Sequence, residues 1–219
     1  MKAHLRGESV SEHLAERIAI VPLLFAVVLG ASLIEFHGFF FPPRVSRMEF
    51  WALSIAYLAA LASWFGWHEA AYRYPYTRQP IARLRAGLEA MVAVSWAALL
   101  FMASEASKSL VGYLWGFVVT FGLHALVIVV RRLEWGAAEA GYQPLRPTVI
   151  HGAVIAGVAA IYTGWVLMRV PLPGVAAWIF LFLPLGVVVS YRWPQMLRQL
   201  PQSVLEEQSP GPKRGRDTE

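Results

Sequence analysis

The chain has 219 residues, of which 57% are hydrophobic and only 15% are charged, and its formal net charge is +5. An average soluble domain is about 45–50% apolar and about 25% charged, so this composition argues against a soluble fold. Cysteine is absent, which excludes thiol chemistry and the quinone-linked disulfide enzymes of membranes, because these need paired cysteines.

The apolar residues fall into six long blocks that carry almost no charge. A helix needs roughly 20 apolar residues to cross the hydrocarbon core of a bilayer. The blocks are solidly apolar and do not alternate with period two, which favours helices over the strands of a barrel. They lie at 18–40, 50–71, 86–104, 110–130, 149–168 and 174–191. The sequence therefore predicts an all-α, polytopic integral membrane bundle of six transmembrane helices.

The polar ends of the chain flank this predicted six-helix domain, which we place at 18–192. Residues 1–17 are predicted to form a cytoplasmic segment, and the capping-box spacing of Ser9 and Glu12 indicates a short surface helix within it. Residues 193–219 are predicted to form a cytoplasmic tail, largely disordered because its end is polar and contains Pro and Gly.

The distribution of Lys and Arg predicts the orientation of the bundle. Fifteen of the 19 basic residues fall in segments that six crossings would place on one side. Because cationic loops are retained in the cytoplasm, both termini are predicted to be cytoplasmic, in a plasma membrane such as the inner membrane of a bacterium. Anionic lipid explains the basic clusters at the membrane edge, so the lipid bilayer is the expected partner and nucleic acid is not.

Titratable residues recur near the predicted cytoplasmic ends of helices two to five. Glu89 follows Arg85 by four residues, and Glu69 precedes Arg73 by four, so each acid can pair with its neighbouring arginine. Ionisable groups inside membrane spans usually face the bundle interior and mark functional sites. We therefore predict a polar vestibule formed by eight binding residues: His68, Glu69, Arg73, Arg85, Glu89, His124, Arg131 and His151. The alternative is local neutralisation of each arginine, with His124 in an ordinary hydrogen bond between helices.

A smaller polar group is predicted on the outer side. Glu35 and His37 lie on the first helix, while Glu105 and Lys108 follow the third. Glu49 lies at the outer edge of the second helix, where we expect its carboxylate to be exposed to water.

Two further patterns concern packing and the interface. The aromatic residues around the second loop are interpreted as an aromatic belt at the membrane surface, with a recognition loop as the alternative: Trp67, Tyr72, Tyr74 and Tyr76. The fifth helix carries small residues at four-residue intervals, which predicts a smooth face for packing within the bundle, with a subunit interface as the alternative: Gly152, Ala156, Ala160 and Gly164.

Motifs for catalysis and metal binding are missing from the sequence. The segment "HEAAY" begins like the zinc motif H-E-x-x-H, but Tyr72 stands where the second histidine is required, so no metal site is predicted. No catalytic residue is assigned. A single haem held by two of His68, His124 and His151 is an alternative cofactor prediction, since paired histidines on different helices can ligate haem iron.

These patterns favour a small channel or transporter-like protein for an ion or small solute. Protonation of His68, His124 or the acids would be coupled to gating or movement. The alternative is a membrane anchor or partner subunit, which would bind a protein partner or a second copy of itself through the arginine-rich cytoplasmic face. A haem-bearing or lipid-modifying enzyme is the third and less favoured prediction.

Overall fold

The structure of the protein, a computed structural model, describes residues 2–76, 80–136, 145–169 and 174–197. Within these ranges the chain forms six helices and no strand: α1 Lys2–Phe40, α2 Met48–Arg73, α3 Pro80–Ser104, α4 Leu110–Trp135, α5 Leu145–Leu167 and α6 Gly174–Leu197. Each contains a stretch long and apolar enough to span a membrane. The prediction of an all-helical, multi-pass architecture is confirmed in these terms.

The spans agree closely with the predicted apolar blocks. They are Val21–Phe40, Met48–Tyr72, Pro80–Ser104, Leu110–Trp135, Leu145–Leu167 and Gly174–Tyr191. Helix α1 is continuous from Lys2, so it runs without a break through the boundary that was predicted at residue 17. The predicted disordered tail falls mainly on residues 198–219, which lie outside the described part of the chain.

Local chemistry explains where the central helices begin and end. Helix α3 begins at Pro80, whose missing amide hydrogen and fixed φ suit the first helical position. The side chain of Ser109 caps α4 by accepting a hydrogen bond from the Gly112 amide at 3.4 Å. Helix α4 ends before Gly136, which has a φ of +84° that residues with a Cβ rarely adopt.

Helices α3 and α4 form the centre of the bundle. Helix α3 packs against α1, α2 and α4, and α4 also contacts α5 and α6. The two central helices approach closely at Gly116, where an added Cβ would lie 2.7 Å from Cδ1 of Leu99. Large side chains fill the space between them, including the fully buried Leu100, Tyr113 and Phe117. This packing holds the side chains of the candidate site in place.

Side-chain contacts define two ends of the bundle. At the end that we name the Tyr76 end, Arg85 in the second turn of α3 bonds to the last turn of α4 and to Tyr74, the residue after α2. At the same end, Thr148 on α5 bonds to Tyr191 on α6 at 2.8 Å. At the opposite, Ser107 end, the turn between α3 and α4 contacts Glu49 at the start of α2. The helices therefore alternate in direction through the bundle.

The small residues of α5 pack only in part as predicted. An added Cβ on Gly152 would lie 3.6 Å from Cβ of Phe121, but one on Gly164 would meet nothing within 4 Å, and Ala160 is exposed. A four-residue step advances the helix by about 40° beyond a full turn, so the stripe winds away from the packed face. The fully packed positions of α5 are Thr148, Ile155 and Ala159.

Candidate functional site

Glu89 on α3 lies at the centre of a buried polar cluster near the Tyr76 end. Its Oε1 accepts hydrogen bonds from Nε of Arg85 at 2.9 Å and from a guanidinium nitrogen of Arg131 at 3.2 Å. Its Oε2 accepts from the indole Nε1 of Trp67 at 2.8 Å and from the hydroxyl of Tyr76. A carboxylate has about four acceptor positions, so the hydrogen-bonding capacity of Glu89 is filled.

Arg85 links this carboxylate to α4 and to the loop after α2. One guanidinium nitrogen donates to Oε2 of Glu134 at 2.9 Å, and the other donates to the backbone carbonyl of Tyr74 at 2.6 Å. The guanidinium carbon also lies 4.4 Å from the ring centroid of Tyr76, which is a cation–π distance. Arg85 is 0% exposed, so every one of these interactions is shielded from water.

We name Trp67, Tyr76, Arg85, Glu89, Arg131 and Glu134 the Glu89 cluster. Its two guanidiniums balance its two carboxylates, so the cluster is electrically neutral. Removing one member of such a buried set leaves an uncompensated charge and typically costs about 3–5 kcal/mol. The predicted pairing of Glu89 with Arg85 is confirmed, but Glu89 does more than neutralise its neighbour, because Arg131 joins from another helix.

Three members of the Glu89 cluster were not predicted as site residues. Glu134 lies three residues after Arg131 on the same face of α4, and that spacing was a usable signal. Trp67 and Tyr76 were interpreted as part of an aromatic belt, but they are only 8% and 5% exposed. Tyr72, by contrast, is 89% exposed, as a belt residue would be. Burial, followed by the charge of Glu89 and the hydrogen bond to it, raises the pKa of the Tyr76 phenol.

His124 forms a second polar site near the middle of the bundle. It lies 14 residues from the start of α4 and 11 from its end, or about 21 Å and 17 Å along the axis. Its Nε2 is 2.7 Å from the hydroxyl oxygen of Ser63 on α2, and its Nδ1 is 2.8 Å from the carbonyl oxygen of Thr120. The hydroxyl of Thr120 bonds to the carbonyl of Gly116 on its own helix. Ser63 instead bonds across helices.

The pair formed by Ser63 and His124 accommodates either protonation state. A carbonyl oxygen only accepts, so Nδ1 carries a hydrogen that it donates to Thr120. In the neutral ring, Nε2 then accepts from the Ser63 hydroxyl; in the charged ring, Nε2–H donates to the same oxygen. An added proton on Nε2 keeps both hydrogen bonds of the ring if the hydroxyl rotates, whereas Glu89 would have to give up one of its four donors.

Two narrow cavities meet at this pair. Cavity A has a volume of about 30 Å³ and reaches from Glu89 and Arg131 to Ser63 and His124. Cavity B has a volume of about 20 Å³ and extends from the same pair toward Thr148. Tyr191 lines both. Each cavity therefore has room for roughly one or two water molecules.

His68, Glu69 and His151 line neither cavity. His68 is exposed beside the rings of Trp64 and Trp67, and Glu69 is partly exposed. Arg73 ends α2, but its side chain lies outside the described part of the structure. His151 is partly exposed, and its Nδ1 lies 2.6 Å from the carbonyl oxygen of Pro147. Its Nε2 lies 3.1 Å from the hydroxyl oxygen of Ser190, and this contact joins α5 to α6.

The prediction that Glu49 is exposed is wrong. Its residue is 7% exposed, Ser107 donates a hydrogen bond to its Oε1, and its Oε2 has no hydrogen-bond partner among the described residues. The turn between α3 and α4 folds over the start of α2 and shields the carboxylate. Lys108 pairs with Glu105 at 2.6 Å on the surface, while both Glu35 and His37 are exposed on α1.

Haem ligation by histidine stays a prediction. Both ring nitrogens of His124 and of His151 lie within hydrogen-bond distance of protein atoms, so a haem iron would have to displace a serine from Nε2. In the ranges described here, no group of three or more His, Asp or Glu residues is arranged to hold a metal ion.

The fold and the site together describe a polytopic helical protein with six potential membrane spans and polar groups enclosed among them. No family model, curated protein or solved structure matches the chain. Its function is therefore inferred from the chemistry of the site.

Proposed function

We propose that this chain is a membrane transport protein that moves a proton, or a small polar solute coupled to a proton, through the pair formed by Ser63 and His124. One observation carries the proposal: a histidine at mid-depth bonds across helices in the wall shared by two internal cavities. Ionisable residues inside membrane spans are costly, and they commonly mark proton relays or substrate paths.

The electrostatics of the cavities support a proton over other ions. The charges that border cavity A belong to the neutral Glu89 cluster, where Glu89 already accepts four hydrogen bonds. This leaves no open carboxylate there to replace the water shell of a metal cation. His124 is the group best suited to the task, because it lines both cavities and an imidazole can carry a proton on either ring nitrogen.

Both cavities extend from His124 toward the Tyr76 end, so they would supply the path to that end. On the other side, Trp96, Phe117 and Tyr113 form a chain of edge-to-face ring contacts with centroid separations of 6.2 Å and 5.2 Å. We name these three residues the aromatic plug. All three are nearly or fully buried. Transport would require the plug to move, as alternating access does in transporters that bind substrate near the midplane.

The orientation in this proposal follows the arginine-rich segments, with both termini and the Tyr76 end in the cytoplasm of a bacterial cell. Because the chain has no cysteine, single cysteines can report the orientation without background. We expect Ser203→Cys to react only from the cytoplasmic side and Lys108→Cys only from outside. Labelling of both variants from one side would overturn this orientation.

Proteoliposomes with a pH-sensitive dye inside provide the functional test. Proton transfer through a positioned side chain is worth about 10²-fold or more in rate, so His124→Asn should remove most of the proton flux. Ser63→Ala should reduce it, since the ring loses its partner for Nε2. His68→Asn is the matched control, because His68 is exposed and lines neither cavity.

Flux is measured with and without a membrane potential and with candidate small solutes present. Equal flux in the wild type, in His124→Asn and in empty liposomes would contradict transport. That result would favour the alternative role as a membrane anchor or partner subunit. The haem alternative has its own measurement, because purified protein that contains haem would show a Soret absorption band.

A further inference from the structure

A shallow apolar groove runs along the first half of α6, and we name it the α6 groove. Its volume is about 570 Å³, within the range of about 300–1,000 Å³ that is typical of ligand sites. Steps of three and four residues place its lining on one face of the helix, over a length of about 16 Å. The lining consists of Val175, Trp178, Ile179, Phe182, Leu183 and Gly186. Because α6 begins at the Ser107 end and reaches the Tyr76 end at Tyr191, the groove lies in the half of the bundle nearer the Ser107 end.

Aromatic contacts connect the α6 groove to the turn between α1 and α2. The rings of Trp178 and Phe182 stack with 6.3 Å between their centroids, and the ring of Phe182 lies 5.6 Å from that of Trp51 on α2. The indole Nε1 of Trp51 donates a hydrogen bond to the carbonyl of Val45 at 2.8 Å. The turn that contains Val45 is therefore held beside the groove at the Ser107 end.

Two arginines flank Val45 in this turn, which is closed by a hydrogen bond from the amide of Arg47 to the carbonyl of Arg44 at 2.8 Å. Both arginines are exposed, and neither guanidinium forms an ion pair with any acid in the described part of the chain. Lys108, at the same end, pairs with Glu105 at 2.6 Å. Exposed and unpaired guanidiniums at a membrane surface attract anionic headgroups.

We propose that the α6 groove and these two arginines form a binding site for one anionic phospholipid, such as phosphatidylglycerol. One acyl chain lies along α6, and Arg44 and Arg47 bond to the headgroup phosphate, because a guanidinium presents paired N–H donors that match phosphate oxygens. Charge complementarity distinguishes this site from an ordinary lipid-facing surface, since the apolar groove and the cations belong to one connected patch. The inference is independent of the proposed transport, because the α6 groove shares no residue with either cavity.

Native mass spectrometry of the full chain in detergent, titrated with phosphatidylglycerol, measures the affinity for the headgroup. Each arginine near a membrane surface corresponds to about a fivefold gain in affinity for anionic lipid. Arg47→Gln should therefore weaken binding about fivefold, and Arg44→Gln combined with Arg47→Gln about 25-fold. Lys108→Gln is the matched control, because it removes one charge from the same end but its lysine already has a partner, so it should bind lipid like the wild type.

Phosphatidylglycerol with a photoreactive diazirine on its acyl chain tests the groove itself. The labelled lipid is added at a low fraction to phosphatidylcholine nanodiscs, and the adducts are mapped by mass spectrometry. Adducts should concentrate on α6 between Val175 and Gly186 and should fall sharply when both arginines are replaced. The control surface is the exposed apolar face of α1 at Leu23 and Ile34, whose labelling should not depend on the arginines.

Three outcomes would overturn the proposal. Equal affinity of the wild type and the double arginine variant would remove the headgroup contact. Adducts spread evenly over α1 and α6, or unchanged by loss of the arginines, would show ordinary bilayer lipid only. A dimer in the native mass spectra, with the α6 groove left without adducts, would assign the groove to a second copy of the chain.

Discussion

Replacing Glu89 by glutamine is the sharpest perturbation of the buried cluster, because it changes the charge and hardly changes the shape. Glutamine keeps one acceptor oxygen and puts an NH₂ group in place of the other. If the oxygen stays toward Arg85 and Arg131, the NH₂ group meets the indole N–H of Trp67 and the hydroxyl of Tyr76. The hydroxyl can turn and accept, but the indole N–H cannot.

The cost of this substitution can be worked from these contacts. One buried donor is left unpaired at about 1–3 kcal/mol. The cluster also acquires a net positive charge, and breaking a buried ionic set by removing one partner typically costs about 3–5 kcal/mol in total. We therefore expect Glu89→Gln to lower the free energy of unfolding by about 3–5 kcal/mol.

Denaturant unfolding in detergent, followed by near-ultraviolet circular dichroism of the tryptophans, measures this loss. Glu105→Gln is the control, since Glu105 is surface-exposed, and it should give no measurable change. Adding Arg131→Gln to Glu89→Gln restores neutrality and should recover part of the loss, which a double-mutant cycle would quantify. A Glu89→Gln protein within about 0.5 kcal/mol of the wild type would refute the buried cluster, because surface substitutions have effects of that size.

Three other predictions concern the same region and the contact between α3 and α4. Tyr76→Phe removes a donor to a charged acceptor and should cost about 1.5–3 kcal/mol of unfolding free energy, while Tyr72→Phe at an exposed position should cost nothing measurable. Because the pKa of Tyr76 is raised in the folded protein, its contribution to stability is fully present below pH 10.0 and declines above it, where the unfolded chain loses the phenol proton first. Unfolding curves measured below and above pH 10.0 should therefore show a smaller loss of unfolding free energy at alkaline pH in Tyr76→Phe than in the wild type. Gly116→Ala places a Cβ 2.7 Å from Leu99 and should destabilise the protein by about 1–3 kcal/mol in denaturant unfolding, whereas Gly122→Ala meets nothing within 4 Å and should be neutral or slightly stabilising.

The two polar sites have complementary roles in the proposed transport. The Glu89 cluster has matched charges and a filled acceptor set, so its chemistry suits a rigid support for the loop at residues 74–76 and for the ends of α3 and α4. The pair formed by Ser63 and His124 has one hydrogen bond that works in either direction, which suits a group that changes protonation state.

The amino-acid sequence was sufficient to predict the helices and their number, because the bilayer imposes a length and an apolar composition on each span. It also predicted the pairing of Arg85 with Glu89, since a four-residue step places both on one face of a helix. His124 was predicted as a site residue from its position inside an apolar run, and its role stays a prediction. These are local properties, so they can be read from neighbouring residues in one segment.

Tertiary structure alone decided which distant groups meet. Nothing within one helix specifies that Arg131 and Glu134 on α4 approach α3, or that the segment after α2 brings Tyr76 to Glu89. The same applies to Glu49, whose burial depends on the turn that covers it. Periodicity along a helix defines its faces, but the partner of each face depends on how whole helices pack, and that packing also creates the cavities.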